Sequence, residues 1–157
     1  MTPAVDMAKK AGITYTLHEY EHKADAVSFG EEVATALGIS QDDVYKTLVV
    51  VIDKKTGDMA VGIVPVSKQL DFKALAKAAG TKRAFMAPIE DAERTTGYVV
   101  GGMSPLGQKT KLPTFIDESM LALKTVYASA GKRGLQIELA PQDLVKLTNA
   151  KIAVISR

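Results

Sequence analysis

The sequence has no cysteine among its 157 residues. Without a thiol, the chain cannot form a disulfide, a cysteine-based zinc site or a cysteine nucleophile, so any thiol chemistry must come from a substrate. This lack is compatible with a reducing compartment. The chain is long enough to bury most of a core without disulfides or metals, so we expect one domain over residues 1–157.

Long apolar runs and blocks of like charge are also missing. No apolar stretch approaches the roughly 20 residues that a membrane helix needs, and the N-terminus lacks the basic-then-apolar layout of a secretory signal. We therefore expect a soluble cytoplasmic protein that has no membrane partner. The formal net charge is only +2, with the cations scattered along the chain. A nucleic-acid partner would be attracted weakly, so a second protein would have to help hold it.

Cap residues and the spacing of apolar residues predict helices and strands that interleave. Helices are expected at residues 3–11, 29–37, 72–79, 88–95 and 141–147, and strands at residues 13–20, 44–52, 59–66, 98–100, 114–117, 124–129, 135–139 and 151–155. Turns at Gly57 and Gly131 favour antiparallel pairs. We predict one α+β domain with a mixed, largely antiparallel, barrel-like sheet and helices packed around it.

Lys46 is unusual because it stands in a strand that is otherwise apolar. Alternation puts it in line with Val44, Leu48 and Val50. A buried ammonium group is costly, so this position requires a pocket mouth, a carboxylate partner or a lowered pKa. The alternative is a lysine that extends its charged end from a strand end to solvent. If Lys46 faces a pocket, it can bind a carbonyl, phosphate or ribose, or donate a proton.

The most distinctive stretch is residues 97–107, which we call the glycine loop. Gly101 and Gly102 allow the backbone to approach a bound group closely and to present N–H groups to a carbonyl or phosphate. The alternative is a tight connection between strands without chemistry. Ser104 is not expected to be a nucleophile, because Pro105 follows it and the Gly-x-Ser-x-Gly motif is absent. No GxGxxG motif is present, so a dinucleotide cofactor is not expected.

Two other groups of polar residues are candidate sites. His18 lies on a predicted strand and His22 follows four residues later; in an extended chain this spacing is too wide for one ion, and no third ligand is nearby, so we expect surface histidines and no metal. Ser129 and the turn at residues 131–134 could bind phosphate through backbone amides and two cations. The alternative for this turn is a basic hairpin tip.

Several of these residues, in the same order across nearly the whole chain, resemble the YbaK family of aminoacyl-tRNA deacylases. The matching positions are Tyr20 and residues 29–31, 46–48, 96–109 and 129–134. The stretch 96–109 is similar to the Cys-tRNA(Pro) deacylase branch, whereas Lys46 is shared with relatives that remove alanine from the same tRNA. These proteins are related to the editing domain of some bacterial prolyl-tRNA synthetases.

The resemblance implies removal of cysteine wrongly attached to tRNA(Pro), without metal or cofactor, by a protein that acts alongside prolyl-tRNA synthetase. In the mechanism attributed to this branch, the substrate thiol attacks its own ester carbonyl to give a cyclic thioester. The protein then has to position the substrate and stabilise charge.

The resemblance also implies roles for individual residues. Lys46 would be catalytic, because it would orient the aminoacyl-adenosine end and stabilise or protonate the leaving ribose oxygen. The implied substrate-binding residues are Tyr20, Phe29, Gly30, Thr47, Gly101, Gly102, Met103, Ser104, Ser129 and Gly134. Gln136 departs from some relatives, which have an aspartate there, so an acidic role is not carried over.

Other functions stay open at this point. One is a non-catalytic module of the same fold that binds tRNA ends or nucleotides and regulates a partner. Another is a deacylase of Ala-tRNA or of broader aminoacyl specificity. A third is a hydrolase of small thioesters or amino-acid esters, which would act on substrates without RNA.

Overall fold

The computed structural model describes residues 1–23 and 28–157, and the strands in these ranges form two sheets. The helices are α1 (Pro3–Ala11), α2 (Phe29–Leu37), α3 (Phe72–Ala79), α4 (Ile89–Thr96) and α5 (Pro141–Thr148), with a 3₁₀ helix at Glu118–Ala122. The strands are β1 (Tyr15–Glu19), β2 (Tyr45–Asp53), β3 (Asp58–Pro65), β4 (Phe85–Met86), β5 (Thr114–Asp117), β6 (Val126–Lys132), β7 (Leu135–Leu139) and β8 (Lys151–Ala153).

The smaller sheet has the order β1-β7-β6 and is antiparallel, and the larger has the order β4-β2-β3-β5-β8. In the larger sheet, β2 pairs antiparallel with β3 and β4, whereas β5 pairs parallel with β3 and β8. A parallel bridge between Val44 and Tyr127 links the two sheets. The predicted α+β fold with largely antiparallel pairing is confirmed. Within the described ranges the strands remain two sheets and do not close into a barrel.

Side-chain caps determine where several helices begin. Thr2, Ser28 and Asp71 each accept a hydrogen bond from a backbone N–H three residues later. Such caps satisfy one of the N–H groups that a helix start leaves without a partner. Helices α1, α2 and α3 have the predicted bounds because these caps, and the glycine that follows each helix, can be recognised in the sequence.

Two apolar clusters hold the layers together. The larger contains Ile116 of β5 and Ile137 of β7, both fully buried, so it lies between the two sheets. The second contains Val64 of β3 and Leu75 of α3, so α3 covers the opposite face of the larger sheet. No helix in the described part of the chain is both long and apolar enough to cross a bilayer.

The predicted strand at residues 98–100 is wrong, because the backbone there forms hydrogen bonds within its own loop. Tyr98 N–H donates to the Thr96 hydroxyl at 3.2 Å, and Gly102 N–H donates to the Val99 carbonyl at 2.9 Å. The Tyr98 hydroxyl, buried with its ring, donates to the Leu106 carbonyl at 2.6 Å. Tyr98 therefore ties together the two ends of the glycine loop.

We predict that Tyr98→Phe lowers the free energy of unfolding by about 1–3 kcal/mol, because it leaves the buried Leu106 carbonyl without its donor. Burial raises the pKa of the Tyr98 hydroxyl to about 12. In an unfolded chain the pKa of tyrosine is about 10. The contribution of the Tyr98 hydroxyl to the free energy of unfolding is therefore complete below that pH and is lost as the pH rises towards 12.

The measurement is denaturant unfolding of both proteins at neutral pH and at pH values between these two pKa values. Tyr15→Phe serves as a control, since the Tyr15 hydroxyl makes no hydrogen bond to the described residues. A Tyr98→Phe protein as stable as the wild type, or one whose deficit grows with rising pH, would contradict the role assigned to this hydroxyl.

Candidate active site

A cavity of about 340 Å³ lies along the outer edge of β2. On that edge, β4 pairs with β2 only at Val50 and Val51, and Val44 bridges to Tyr127 at the other end. Residues 45–49 lie in the gap between these two contacts, and all of them line the cavity. The short length of β4 thus leaves a stretch of β2 facing a hollow.

The start of α2, the glycine loop, β6 and β7 form the other walls. The residues predicted for the site that line the cavity are Lys46, Tyr20, Phe29, Gly30, Thr47, Gly101, Met103 and Ser129. They come from stretches that are far apart in the sequence, and the fold brings them together. Lys46 and Gly101 both line this cavity. The enzymatic function predicted from the sequence depends on these two positions being close to one cavity.

Ser104, which was predicted to contact substrate, lies outside the cavity lining in the described structure. The residue is completely buried, and its hydroxyl accepts a hydrogen bond from Leu106 N–H at 3.2 Å. Its carbonyl accepts a second hydrogen bond from Gln108 Nε2 at 3.0 Å. Ser104 therefore supports the inside of the glycine loop, which explains why a serine precedes a proline here.

Gly102 and Gly134 also lie outside the cavity lining of the described chain, and both hold lining residues in place. A Cβ at Gly102 would be 2.8 Å from the Lys132 Cα, so the missing side chain allows the glycine loop to pack on the end of β6. The Gly134 carbonyl accepts a hydrogen bond from Tyr20 N–H at 3.0 Å. Their contacts with substrate stay predictions, and the structure shows these supporting contacts for both glycines.

Lys46 lies opposite Val64 in the pairing of β2 with β3 and is half-buried. Burial lowers the pKa of its ammonium group, and the negative charge of Glu31 in the first turn of α2 partly opposes that effect. Among the described residues, no carboxylate lies within 4.0 Å of the Lys46 Nζ. Two of the conditions expected for this lysine, a pocket and a lowered pKa, therefore hold together.

Arg133 and Phe29 hold Gly101 from outside. Arg133 Nε donates to the Val100 carbonyl at 2.9 Å, and its guanidinium group lies 4.8 Å from the centre of the Phe29 ring. Gly101 has φ 87°, and a Cβ there would be 2.6 Å from Arg133 Nε. Only glycine combines this backbone conformation with this contact. The turn predicted as either a phosphate site or a hairpin tip thus contributes Arg133 to the loop that lines the cavity.

Two buried polar atoms in the cavity wall have no hydrogen-bond partner in the described part of the chain. They are Thr47 Oγ1 and Gln136 Oε1. Because buried polar atoms in folded proteins almost always have partners, a group or water bound in the cavity can supply the missing hydrogen bonds. Sequence reasoning left the role of Gln136 open, and its position in β7 opposite Ser129 explains why it reaches the cavity.

Tyr20 lies beside Gln136. Burial raises the pKa of its hydroxyl, whereas hydrogen bonds with the Gly134 backbone and the Gln136 side chain lower it. The group is therefore a neutral phenol at physiological pH, and it can donate or accept a hydrogen bond.

Apart from Ser28, Tyr45 and Gln136, the remaining wall is apolar, and it was not predicted as part of the site. Its residues are Val33, Val44, Leu48, Val49, Val66, Met86, Ala87, Ile89, Ala92 and Val100. Met86 and Ile89 are 50% and 62% exposed, so apolar surface reaches solvent at this side of the cavity. In the sequence, the apolar residues around Lys46 in β2 are the one signal for part of this wall.

The two histidines pair with carboxylates. His18 Nε2 lies 2.9 Å from Glu138 Oε1, and His22 Nδ1 lies 2.7 Å from Glu32 Oε1. Within residues 1–23 and 28–157, no group of three or more histidine, aspartate or glutamate side chains could hold a metal ion.

Comparison with known proteins agrees with this geometry. The family model of the aminoacyl-tRNA editing domain matches residues 24–147. An Enterococcus faecalis protein named "Putative Cys-tRNA(Pro)/Cys-tRNA(Cys) deacylase EbsC" is 42% identical over 155 residues, covering 99% of this chain and 93% of that protein.

Solved structures share the fold over almost their full lengths. A crystal structure of a hypothetical protein has a TM-score of 0.87 at 26% identity and covers 99% of both chains. A crystal structure named "a putative trans-editing enzyme for prolyl tRNA synthetase" has a TM-score of 0.81 at 24% identity, with 100% of this chain and 99% of that chain covered. The chain belongs to the aminoacyl-tRNA editing domain family, the YbaK family that its glycine loop and its Lys46 strand resemble.

Proposed function

We propose that this protein removes cysteine from tRNA(Pro) by hydrolysing the ester bond that joins them. Hydrolytic deacylation of aminoacyl-tRNA is the activity of the family to which the chain belongs. The observation that carries the proposal is the shared cavity, in which the Lys46 ammonium group and the Gly101 backbone meet unpaired polar atoms. The choice of cysteine and of tRNA(Pro) is supported by the name of the Enterococcus faecalis relative.

The proposed chemistry needs no nucleophile from the protein. The substrate thiol gives its proton to water, its sulfur attacks the carbonyl carbon, the ester C–O bond breaks, and the ribose oxygen takes up a proton from Lys46, which water then reprotonates. The products are a cyclic thioester, which water then opens, and free tRNA. The chain has no cysteine, and the described wall of the cavity has no carboxylate, which fits a protein that positions the ester and stabilises charge.

Each cavity wall has a task in this scheme. Lys46 donates a proton or a hydrogen bond to the leaving ribose oxygen, and its lowered pKa makes the proton easier to transfer. The backbone around Gly101 faces the carbonyl group. Phe29 and Gly30 bound the space for the aminoacyl group, together with Tyr20, Thr47, Met103 and Ser129.

The partner in this scheme is prolyl-tRNA synthetase, acting in the cytoplasm as an aid to tRNA binding. The net charge of +2 attracts a polyanion only weakly. We infer that the whole chain, residues 1–157, works as one trans-editing domain, which supplies the pocket while the synthetase helps to hold the tRNA.

We predict that the purified protein deacylates Cys-tRNA(Pro) faster than tRNA(Pro) charged with alanine, serine or proline. The measurement is the loss of labelled amino acid over time, with and without the synthetase. Equal rates on all four substrates would show that the protein is a deacylase of broad specificity and does not select cysteine. No acceleration under any condition would favour a non-catalytic tRNA-binding module, and activity on amino-acid esters without RNA would favour a small-ester hydrolase.

Lys46→Ala is expected to lower kcat/KM for Cys-tRNA(Pro) by roughly 10²–10⁴-fold, the usual contribution of a positioned acid. Its circular dichroism should be unchanged. Lys73→Ala, which removes an exposed lysine of α3, is the matched control and should keep the wild-type rate. Full activity of Lys46→Ala would show that Lys46 is not the proton donor.

The pH dependence provides a separate test of the same group. Because burial lowers the pKa of Lys46, the alkaline limb of the rate profile should fall below the value of about 10.4 of an ordinary lysine. In Lys46→Arg the cation stays protonated, so this limb should move to higher pH even if the maximal rate drops. Rates are corrected for spontaneous ester loss. If the alkaline limb of Lys46→Arg stays at the same pH as that of the wild type, a group other than Lys46 causes it.

A further inference from the structure

Gln136 places an unused hydrogen-bond acceptor in the cavity. The residue is 5% exposed, and its Oε1 atom has no partner among the residues that the structure describes. A buried amide oxygen without a partner costs about 1–3 kcal/mol. Neither the family match nor the proposed chemistry gives this atom a task, although it lines the same cavity as Lys46.

The surroundings of Gln136 determine which of its two polar ends faces a ligand. In the sheet, Gln136 lies between His18 of β1 and Ser129 of β6, so its backbone is held on both sides. Tyr20 lies near enough for the Gln136 amide to lower the pKa of the Tyr20 hydroxyl. Oε1, which can only accept, has no partner among the described residues, so it is the end left for a donor on a ligand.

The charge of the cavity limits what that ligand group can be. In the described wall, Lys46 is the one formally charged residue, and no carboxylate is present. Two glutamates lie in the first turn of α2, Glu31 and Glu32, and Glu32 is paired with His22. An aminoacyl ester brings an α-ammonium group with three N–H donors into this cavity. Such a cation needs a polarised acceptor, and hydrogen bonds from charged donors are stronger than neutral ones.

We propose that Gln136 is a specificity-determining residue whose Oε1 accepts a hydrogen bond from the α-ammonium group of the aminoacyl ester. This inference rests on the proposed deacylase function and adds a requirement for a free α-amino group. A neutral amide oxygen can accept from a cation without adding a charge to the cavity wall. Substrates that lack the α-ammonium group lose this contact.

The test compares two substrates that differ only in this group: Cys-tRNA(Pro) and 3-mercaptopropionyl-tRNA(Pro), which has the same thiol but no α-ammonium group. In the wild type, kcat/KM should be roughly 10–100-fold higher for Cys-tRNA(Pro) after division by the spontaneous rates. Gln136→Met has a similar size and replaces the amide oxygen with a thioether, which is only a weak acceptor. It should reduce the preference for Cys-tRNA(Pro) over the analogue to about one, whatever its effect on the rate that the two substrates share.

Gln136→Glu restores an acceptor and should keep a substrate preference at least as large as that of the wild type, even if pairing with Lys46 slows both reactions. This variant also keeps the test decisive if Gln136→Met does not fold. Equal slowing of both substrates by Gln136→Met, or a lost preference in Gln136→Glu, would overturn the α-ammonium contact. These outcomes leave the proposed function intact, whereas a wild type inactive on Cys-tRNA(Pro) would remove that function itself.

Discussion

An ammonium group in an apolar strand is the constraint around which this molecule is arranged. Lys46 would be costly inside a sheet, and the fold avoids that cost by ending β4 early, so that β2 borders a cavity beside the lysine. The exposure is partial, and burial still lowers the pKa of the ammonium group. The same compromise makes Lys46 a better proton donor than an ordinary surface lysine.

The second requirement is a rigid loop opposite that lysine. Tyr98 binds the Leu106 carbonyl inside the glycine loop, and Arg133 binds the Val100 carbonyl from outside while stacking on Phe29. A loop held at both points can keep backbone groups aimed at a reacting carbonyl without reorganisation, which is the basis of electrostatic catalysis. The supporting residues are thus as important to the cavity as the residues that line it.

Within the cavity, the polar and apolar walls divide the recognition of a substrate. Lys46, Thr47, Gln136 and Tyr20 supply hydrogen-bonding groups, whereas Met86 and Ile89 contribute apolar surface that is exposed to solvent. Few placed polar groups in a largely apolar pocket are typical of sites that bind small groups. The aminoacyl group on a tRNA end, the target of this family, is a group of that size.

The sequence by itself determined the helices with recognisable caps, the anomalous Lys46 and the glycine loop, because each depends on neighbours within a few residues or on a matching family pattern. Only the tertiary structure decided that residues 98–100 are not a strand, that Ser104 supports the loop, and that Gln136 joins the cavity. Those outcomes depend on contacts between distant segments, such as Tyr98 with Leu106 and β7 with β6. Local periodicity contains no information about such contacts, so only the packed fold could establish them.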